Sequence, residues 1–323
     1  MDRNALKNLT HNAKDFLNVH KGDYKQWVFR YTFLELEKDL APNGDITTES
    51  VLGEDVVAKA TVVAGDDGIV AGLEEIMYFL VESDPRFRPR LSALKVEGLK
   101  KDGEKVCKGD KVLVIEGAAR DVLAVERVVL NLLMRMSGVA TYTTHLCEIL
   151  RKEGLGVLIT PTRKTLWGLL DKKAVVIGGG GTHRLNLSDA ILVKDNHLAL
   201  LGGSFTTAIK NISESGVQAR FIEIEVEDKE GALKAAEALS SFVSSGGIEA
   251  PACIMFDNMK SGEIEEVLKV AKSKGFYDNV LFEASGGICE ENLVEYAKTG
   301  VDIISMGCLT MGSRGLDFRM EIE

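Results

Sequence analysis

The chain has 323 residues, a formal net charge of −10, 45% hydrophobic and 27% charged residues, the balance of a folded protein with one or two buried cores and not of a disordered or collagen-like chain. The acidity disfavours nucleic acid as a partner, because phosphate polymers are held by Lys and Arg spread over a wide surface. Five cysteines (Cys107, Cys147, Cys253, Cys289, Cys308) with no C-x-x-C pair argue against a zinc ribbon, iron–sulfur ligation or a disulfide framework, and fit a reducing cytoplasm.

Residues 1–30 are polar, with apolar positions scattered at Leu6, Leu9, Phe16 and Leu17; they read as an extension of one or two weak helices. No apolar signal segment begins the chain, and no window approaches the roughly 18 apolar residues of a membrane span, so neither secretion nor insertion is expected. Trp27 to Leu40 repeats apolar residues at helical spacing and stops before the turn signal Pro42-Asn43-Gly44.

From Val56 to Gly117 the pattern becomes short β-type runs (Val56 to Val63, Gly68 to Ala71, Lys111 to Glu116) around one helix near Leu73 to Val81, a small α+β domain. Asp121 to Lys152 lacks Pro and keeps helical spacing past Ser137-Gly138, which predicts one long helix or a kinked pair. Beyond it, β-type runs at Val157 to Thr160, Ala190 to Lys194, Arg220 to Val226, Cys253 to Asp257, Val280 to Ala284 and Asp302 to Met306 alternate with helical stretches. Such alternation means βαβ units on a parallel sheet, here an α/β fold with an incomplete TIM-like barrel; no G-x-G-x-x-G supports an open dinucleotide-binding sheet.

Chemistry concentrates at the strand ends. Thr162 to His197 carries six Lys or Arg against three Asp, with four consecutive glycines, in an otherwise acidic chain. Arg163-Lys164, His183-Arg184 and Lys194 each follow an apolar run (Val157 to Ile159, Val175 to Ile177, Ile191 to Val193), which predicts a cluster of cations at neighbouring strand ends suited to phosphate or carboxylate. Strand alternation puts Glu223, Glu225 and Glu227 on one face and Ile222, Ile224 and Val226 on the other. A buried carboxylate there needs a cation. Asp257 ends the next run, and with Glu225 could hold Mg²⁺ through oxygen. The late turns Ser285-Gly286-Gly287 and Ser305-Met306-Gly307 have the composition of a phosphate cradle, glycines letting backbone N–H groups approach the oxygens.

With these features in place the chain resembles the quinolinate phosphoribosyltransferases from about Phe33 to Thr310. The resemblance is carried, in order, by Gly44-Asp45-Ile46-Thr47-Thr48, Glu126 to Asn131, Ser137 to Thr141, Thr162-Arg163-Lys164-Thr165, Gly178 to Gly180 with His183-Arg184, Lys194-Asp195-Asn196-His197, Glu223-Ile224-Glu225, Phe256-Asp257-Asn258 and Glu283 to Ile288. It implies an N-terminal α/β sandwich domain, an incomplete α/β barrel, and a homodimer or higher homo-oligomer in which one subunit's N-terminal domain covers the other's barrel. The partition expected is an extension at 1–30, the sandwich at 31–125, the barrel at 126–312 and a tail at 313–323 returning to the sandwich.

The reaction implied joins quinolinate to phosphoribosyl pyrophosphate, giving nicotinate mononucleotide, pyrophosphate and CO₂ with Mg²⁺, in NAD biosynthesis. By the same resemblance Arg127, Arg163, His183 and Arg184 grip the two carboxylates, Lys164 and Lys194 engage substrate or pyrophosphate oxygens, Glu225 and Asp257 serve ribose and metal, and Ser285, Gly286, Gly287 and Gly307 hold the 5′-phosphate. Two departures stand out: Pro161 replaces the family's usual Asp, and Leu166-Trp167-Gly168-Leu169-Leu170 replaces a Thr-Pro-Gly-Leu-Arg segment, without its Arg. The altered loop leaves open a phosphoribosyltransferase acting on nicotinate or another aromatic acid. A third reading is a noncatalytic binder of a phosphorylated metabolite, which the retention of Lys164, Lys194, Glu225 and Asp257 disfavours.

Overall fold

The computed structural model of the protein describes residues 2–82 and 93–323. In chain order the first elements are α1 (Arg3–His11), α2 (Gly22–Leu40), α3 (Ile46–Val51), β1 (Val57–Ala64), β2 (Gly68–Ile69), α4 (Leu73–Met77), β3 (Lys95–Gly98), β4 (Lys105–Val106), β5 (Lys111–Ala118) and α5 (Ala119–Lys152). Next come β6 (Leu158–Thr160), α6 (Leu169–Ile177), β7 (Ile191–Val193), α7 (Asp195–Leu200), α8 (Phe205–Ser215), β8 (Ile222–Val226) and α9 (Lys229–Ser244). The remainder is β9 (Ala252–Asp257), α10 (Ser261–Ser273), β10 (Val280–Ser285), α11 (Glu290–Lys298), β11 (Ile303–Ser305), α12 (Cys308–Met311) and β12 (Phe318–Ile322). Among the described residues no helix is long and apolar enough to cross a membrane.

These elements form two compact units. The first, made of residues 1–13, 145–166 and 180–312, is built on six parallel strands in the order β6-β11-β10-β9-β8-β7. Strand β7 pairs with β8 and β6 with β11, while β6 and β7 remain edges, so the barrel is incomplete, as the sequence predicts. All six expected strands are present, each within two residues of its expected bounds.

Register explains what fills this barrel. Glu223 lies level with Cys253, Cys253 with Leu281, and Glu283 with Ile303. Cys253, Leu281 and Ile303 form one apolar cluster with Leu6 of α1 packed against it, so this parity faces the interior while Ile222, Ile224 and Val226 face the helices.

Helix α1 forms the floor. Arg3 clamps Asp302 with two charge-assisted hydrogen bonds, Nε to Oδ1 at 2.7 Å and Nη2 to Oδ2 at 2.5 Å, donates to the carbonyls of Tyr277 and Val280, and stacks 3.7 Å over the Tyr277 ring. Lys7 Nζ donates to Gly156 O at 2.7 Å, and Arg220 donates to Thr10 O. Gly156, Arg220 and Tyr277 all precede the first residue of a strand, which fixes α1 at the N-terminal end of the barrel. Residues 1–13, whose role the sequence leaves unread, are part of this unit.

The second unit comprises residues 14–144, 167–179 and 313–323. Its antiparallel sheet runs β12-β1-β5-β3, with β12 pairing along β1 from Ala60↔Ile322 to Ala64↔Phe318. Helix α5 is continuous over 34 residues, and Ser137-Gly138 serves contacts without kinking it. The Ser137 hydroxyl receives the Ala71 N–H at 2.9 Å, and a Cβ on Gly138 would lie 2.9 Å from Arg314 C and Gly315 Cα. Only a glycine lets the returning chain pass so close.

One expected strand-like run is a helix. Val175 to Ile177 ends α6, in which Leu170, Asp171, Ala174 and Val175 are buried on one helical face and Lys172 is buried beside them. His183 and Arg184 are therefore carried on an irregular segment following the glycines, and not on the end of a strand.

Candidate active site

In a parallel barrel the loops after the strands gather at the C-terminal rim. Strand β7 delivers Lys194 there and β8 delivers Glu225, and the two form an ion pair from Nζ to Oε2 across adjacent strands. Burial raises the Glu225 carboxyl above its ordinary pKa, Lys194 opposes that rise, and the negative charge of Asp257 adds to it. Asp257 ends β9 and accepts a hydrogen bond from Asn258 Nδ2 at 2.9 Å. Two carboxylates on neighbouring strand tops thus repel each other beside a single ammonium.

The next two strands carry the glycine turns. Ser285 ends β10 and is bonded laterally to Ser305 of β11, Oγ to Oγ at 2.9 Å. Gly286 and Gly287 follow at φ +88° and +62°. A Cβ on Gly286 would lie 2.6 Å from the Asn258 backbone nitrogen, whereas one on Gly287 would meet nothing within 4 Å. The first glycine is required by close packing and the second leaves open space. Gly307, after β11, has an ordinary φ of −65°, and its Cβ would come no nearer than 4.0 Å, to Thr162 Oγ1.

Along the β7 edge lies a basic cavity of about 360 Å³ whose walls include Arg163, Arg184, Lys194 and His197 over Ile191 and Leu192. The Lys194 amide donates to His197 Nδ1 at 2.9 Å, which holds that ring at the start of α7. Arg184 is 6% exposed. Its pKa is lowered by burial and then by the positive charge of Arg163, with Glu223, Glu225 and Asp189 opposing. Among the described residues neither guanidinium has a hydrogen-bonded or ion-paired partner. Two neighbouring guanidiniums without a direct partner in a concave site make a receptor for an anion with more than one carboxylate or phosphate oxygen. Lys164 is exposed on the loop after β6, its backbone fixed by Thr162 Oγ1 at 3.0 Å and Thr310 Oγ1 at 2.7 Å.

His183 faces a different direction. Held at φ +52°, its ring enters the barrel interior, with Nε2 3.0 Å from Glu223 Oε2 and 3.4 Å from Glu283 Oε1. Burial opposes a charge on this ring, but Glu283 and Glu223 override it and push its pKa up to about 9. Glu223 is therefore an interior carboxylate and Glu225 the one at the rim. Glu227, third on the same face by alternation, is exposed. Arg127 lies on α5 in the other unit, exposed and paired with Glu126 at 2.8 Å.

Two residues of this region were not assigned a role from sequence. Glu283 sits in a recognised motif, but only the register with Ile303 shows that it faces the interior. His11 comes from α1, and no local pattern connects it with strands more than two hundred residues away. The altered loop packs within its own unit: the Trp167 ring lies 4.6 Å from Tyr31, the Trp27 indole donates to Trp167 O at 3.2 Å, and Arg135 forms a bidentate pair with Asp171 at 2.8 and 2.9 Å.

The chain is similar to known proteins over most of its length. Residues 45–137 match the family model of the quinolinate phosphoribosyl transferase N-terminal domain, and residues 139–321 that of the C-terminal domain. A probable carboxylating nicotinate-nucleotide pyrophosphorylase of Methanothermobacter thermautotrophicus is 38% identical over 86% of this chain and 93% of its own. One of Methanocaldococcus jannaschii is 38% identical over 92% and 98%. The structure of the nicotinate-nucleotide pyrophosphorylase from Francisella tularensis superposes with a TM-score of 0.77 at 27% identity, covering 95% of this chain and 99% of that one.

Proposed function

The chain belongs to the quinolinate phosphoribosyl transferase family, and from that premise we propose how its barrel rim divides the work. The protein is a phosphoribosyltransferase that makes nicotinate mononucleotide from quinolinate and phosphoribosyl pyrophosphate in NAD biosynthesis. The pyridine nitrogen bonds to the anomeric carbon as the bond to pyrophosphate breaks, and the 2-carboxylate then leaves as CO₂, its bonding pair staying on C2, which takes up a proton from solvent.

The observation that carries the assignment of residues is the pair of neighbouring guanidiniums without a direct partner, Arg163 and Arg184. Quinolinate is a planar pyridine with adjacent carboxylates, and two Arg forks grip such a dianion in one orientation. Lys194 and Lys164 supply mobile positive charge for the leaving pyrophosphate. Departure of pyrophosphate leaves positive charge on the ribosyl ring, and Glu225 stabilises it from the rim. The turns at Ser285, Gly286, Gly287 and Gly307 receive the 5′-phosphate.

Mg²⁺ belongs to this reading. Glu225 and Asp257 offer hard oxygen donors on adjacent strand tops, and their mutual repulsion is the electrostatic setting that a divalent cation relieves. When bound, Mg²⁺ neutralises pyrophosphate charge as it develops. The reading also includes a cytoplasmic homodimer or higher homo-oligomer, with Arg127 contributed to a neighbouring copy's quinolinate site.

The test is incubation of the purified protein with Mg²⁺, phosphoribosyl pyrophosphate and either quinolinate or nicotinate, with nucleotide, CO₂ and pyrophosphate all followed. Nucleotide and CO₂ from quinolinate alone are expected, with R163A and R184A impaired in quinolinate use. Product from nicotinate alone would overturn the substrate assignment, and full activity in both Arg variants would overturn the placement of quinolinate.

A further inference from the structure

Below the rim, His11, His183, Glu223 and Glu283 meet in a buried cage. The two carboxylates and the His11 ring are fully buried, and His183 is nearly so. Around the cage the separations alternate between imidazole and carboxylate: His11 Nε2 to Glu283 Oε2 3.0 Å, Glu283 Oε1 to His183 Nε2 3.4 Å, His183 Nε2 to Glu223 Oε2 3.0 Å, and Glu223 Oε1 to His11 Nε2 3.9 Å. One donor atom from each residue fits within 4.8 Å of all the others.

By distance these are ion pairs, but none of the contacts has the direction of a hydrogen bond. Both Nε2 atoms and all four carboxylate oxygens lack a hydrogen-bond partner despite these separations. Six buried polar atoms cannot be left so without a large penalty. A cation at the centre, toward which each donor can turn its lone pair, takes one donor atom from each residue, four of the six, and cancels the charge of the two carboxylates. A tetrahedral ion with bonds of about 2.0–2.1 Å sets its ligand atoms about 3.3 Å apart, and with one donor atom per residue the four lie within 4.8 Å of one another, so the widest pairs close inward around the ion.

The surrounding hydrogen bonds prepare one ring and constrain the other. The Thr10 hydroxyl donates to Leu6 O at 2.9 Å, so its oxygen is free to accept from His11 Nδ1 at 2.8 Å. That fixes the proton on Nδ1 and leaves Nε2 with a lone pair, the tautomer a metal requires. His183 Nδ1 instead accepts the Arg184 amide at 2.6 Å. It joins as fourth ligand when the ion displaces the proton that Glu283 and Glu223 favour on this ring, releasing it to solvent and leaving the remaining one on Nδ1 at the expense of the Arg184 contact.

We propose that His11, His183, Glu223 and Glu283 bind one divalent transition-metal ion of the zinc class, which pins helix α1 into the barrel. Two imidazoles and two carboxylates are a mixed nitrogen and oxygen donor set suited to Zn²⁺, and two carboxylates cancel its charge. The site is closed by four protein ligands and separate from the rim carboxylates Glu225 and Asp257, so its role is structural. It lies beyond the phosphoribosyl chemistry and does not depend on it.

Protein produced in zinc-supplemented medium and dialysed against a metal-free buffer is to be analysed by mass spectrometry for bound metal. About one zinc per chain is expected, retained in D257N and lost in H11A. Adding Co²⁺ to chelator-stripped wild-type protein should give the visible absorption of a tetrahedral site, abolished in H11A. Because His11 lies outside the reacting groups, H11A also reports folding through its circular dichroism. No zinc and no tetrahedral Co²⁺ spectrum in the wild type would overturn the proposal. Undiminished metal in folded H11A, or metal lost in D257N and kept in H11A, would overturn it equally.

Discussion

Lys194 and Glu225 are joined by an ion pair across the tops of two adjacent parallel strands. Because burial already raises the Glu225 pKa and Lys194 opposes that rise, the lysine keeps the carboxylate ionised as well as offering charge to a ligand. Replacing it with Met should therefore do two things. kcat/KM should fall by at least about 100-fold, the scale of removing one preorganised electrostatic contact. The acid limb of the residual rate should also move to higher pH, as Glu225 becomes harder to ionise. Rates measured across the pH range check both, and an unmoved acid limb would separate Glu225 from the titration.

Arg163 and Arg184 sit beside one another with Arg184 the more buried. Losing a charged hydrogen-bonding partner costs about 1.5–3 kcal/mol, so R163A and R184A should each raise KM for quinolinate by roughly 10- to 150-fold and leave KM for phosphoribosyl pyrophosphate nearly unchanged. R184K should be worse at high pH than at neutral pH, because an ammonium placed there loses its proton more readily than a guanidinium. Steady-state kinetics with each substrate varied decide the matter.

Glu75 is fully buried and receives the Tyr24 hydroxyl at 2.5 Å. Burial, helped by the charge of Asp102, pushes its pKa from 4.5 up to about 8. A carboxyl with a raised folded pKa binds its proton more tightly in the folded state, so its contribution to stability is present at low pH and is lost as pH rises from about 4.5 through 8. E75Q, neutral at every pH and still an acceptor for Tyr24, should flatten this dependence and be the more stable protein at pH 8 and above. Urea midpoints at several pH values test it; parallel curves for the two proteins would refute it.

Gly286 and Gly287 both have positive φ, but only Gly286 lies against a neighbouring backbone. G287A should cost about 1 kcal/mol from conformational strain. G286A should cost roughly 2–4 kcal/mol, since overlap with Asn258 adds to the strain, and it should raise KM for phosphoribosyl pyrophosphate more than G287A does. Comparable unfolding midpoints for the two variants would show that Asn258 yields easily.

The barrel was legible in the sequence because each strand is short, apolar and bounded by turn residues. The rim was legible because Lys194, Glu225, Asp257 and Ser285 end those strands. The alternation of Glu223 and Glu225 with isoleucine gave their common face, but not which of them reaches the rim, since that depends on register with Cys253 and Met255 in the next strand. Val175 to Ile177 misled because three apolar residues fit a strand as well as a helix end; the decisive residues, Leu170 and Ala174, lie one turn earlier. His11 was invisible because its partners are set by the three-dimensional closure of the barrel floor.

That floor also dictates an order of events during synthesis. Arg3 has its carboxylate partner at Asp302, and β1 has its edge partner in β12, residues 318–322. A ribosome adding about 5–20 residues per second needs on the order of tens of seconds to travel from the first partner to the second in either pair. Through that interval α1 exists without a barrel and β1 without its outer neighbour, so neither unit can be completed from its N-terminal portion alone. The emerging chain therefore spends most of its synthesis with a bare strand edge and an unplaced helix, the kind of surface that chaperones hold.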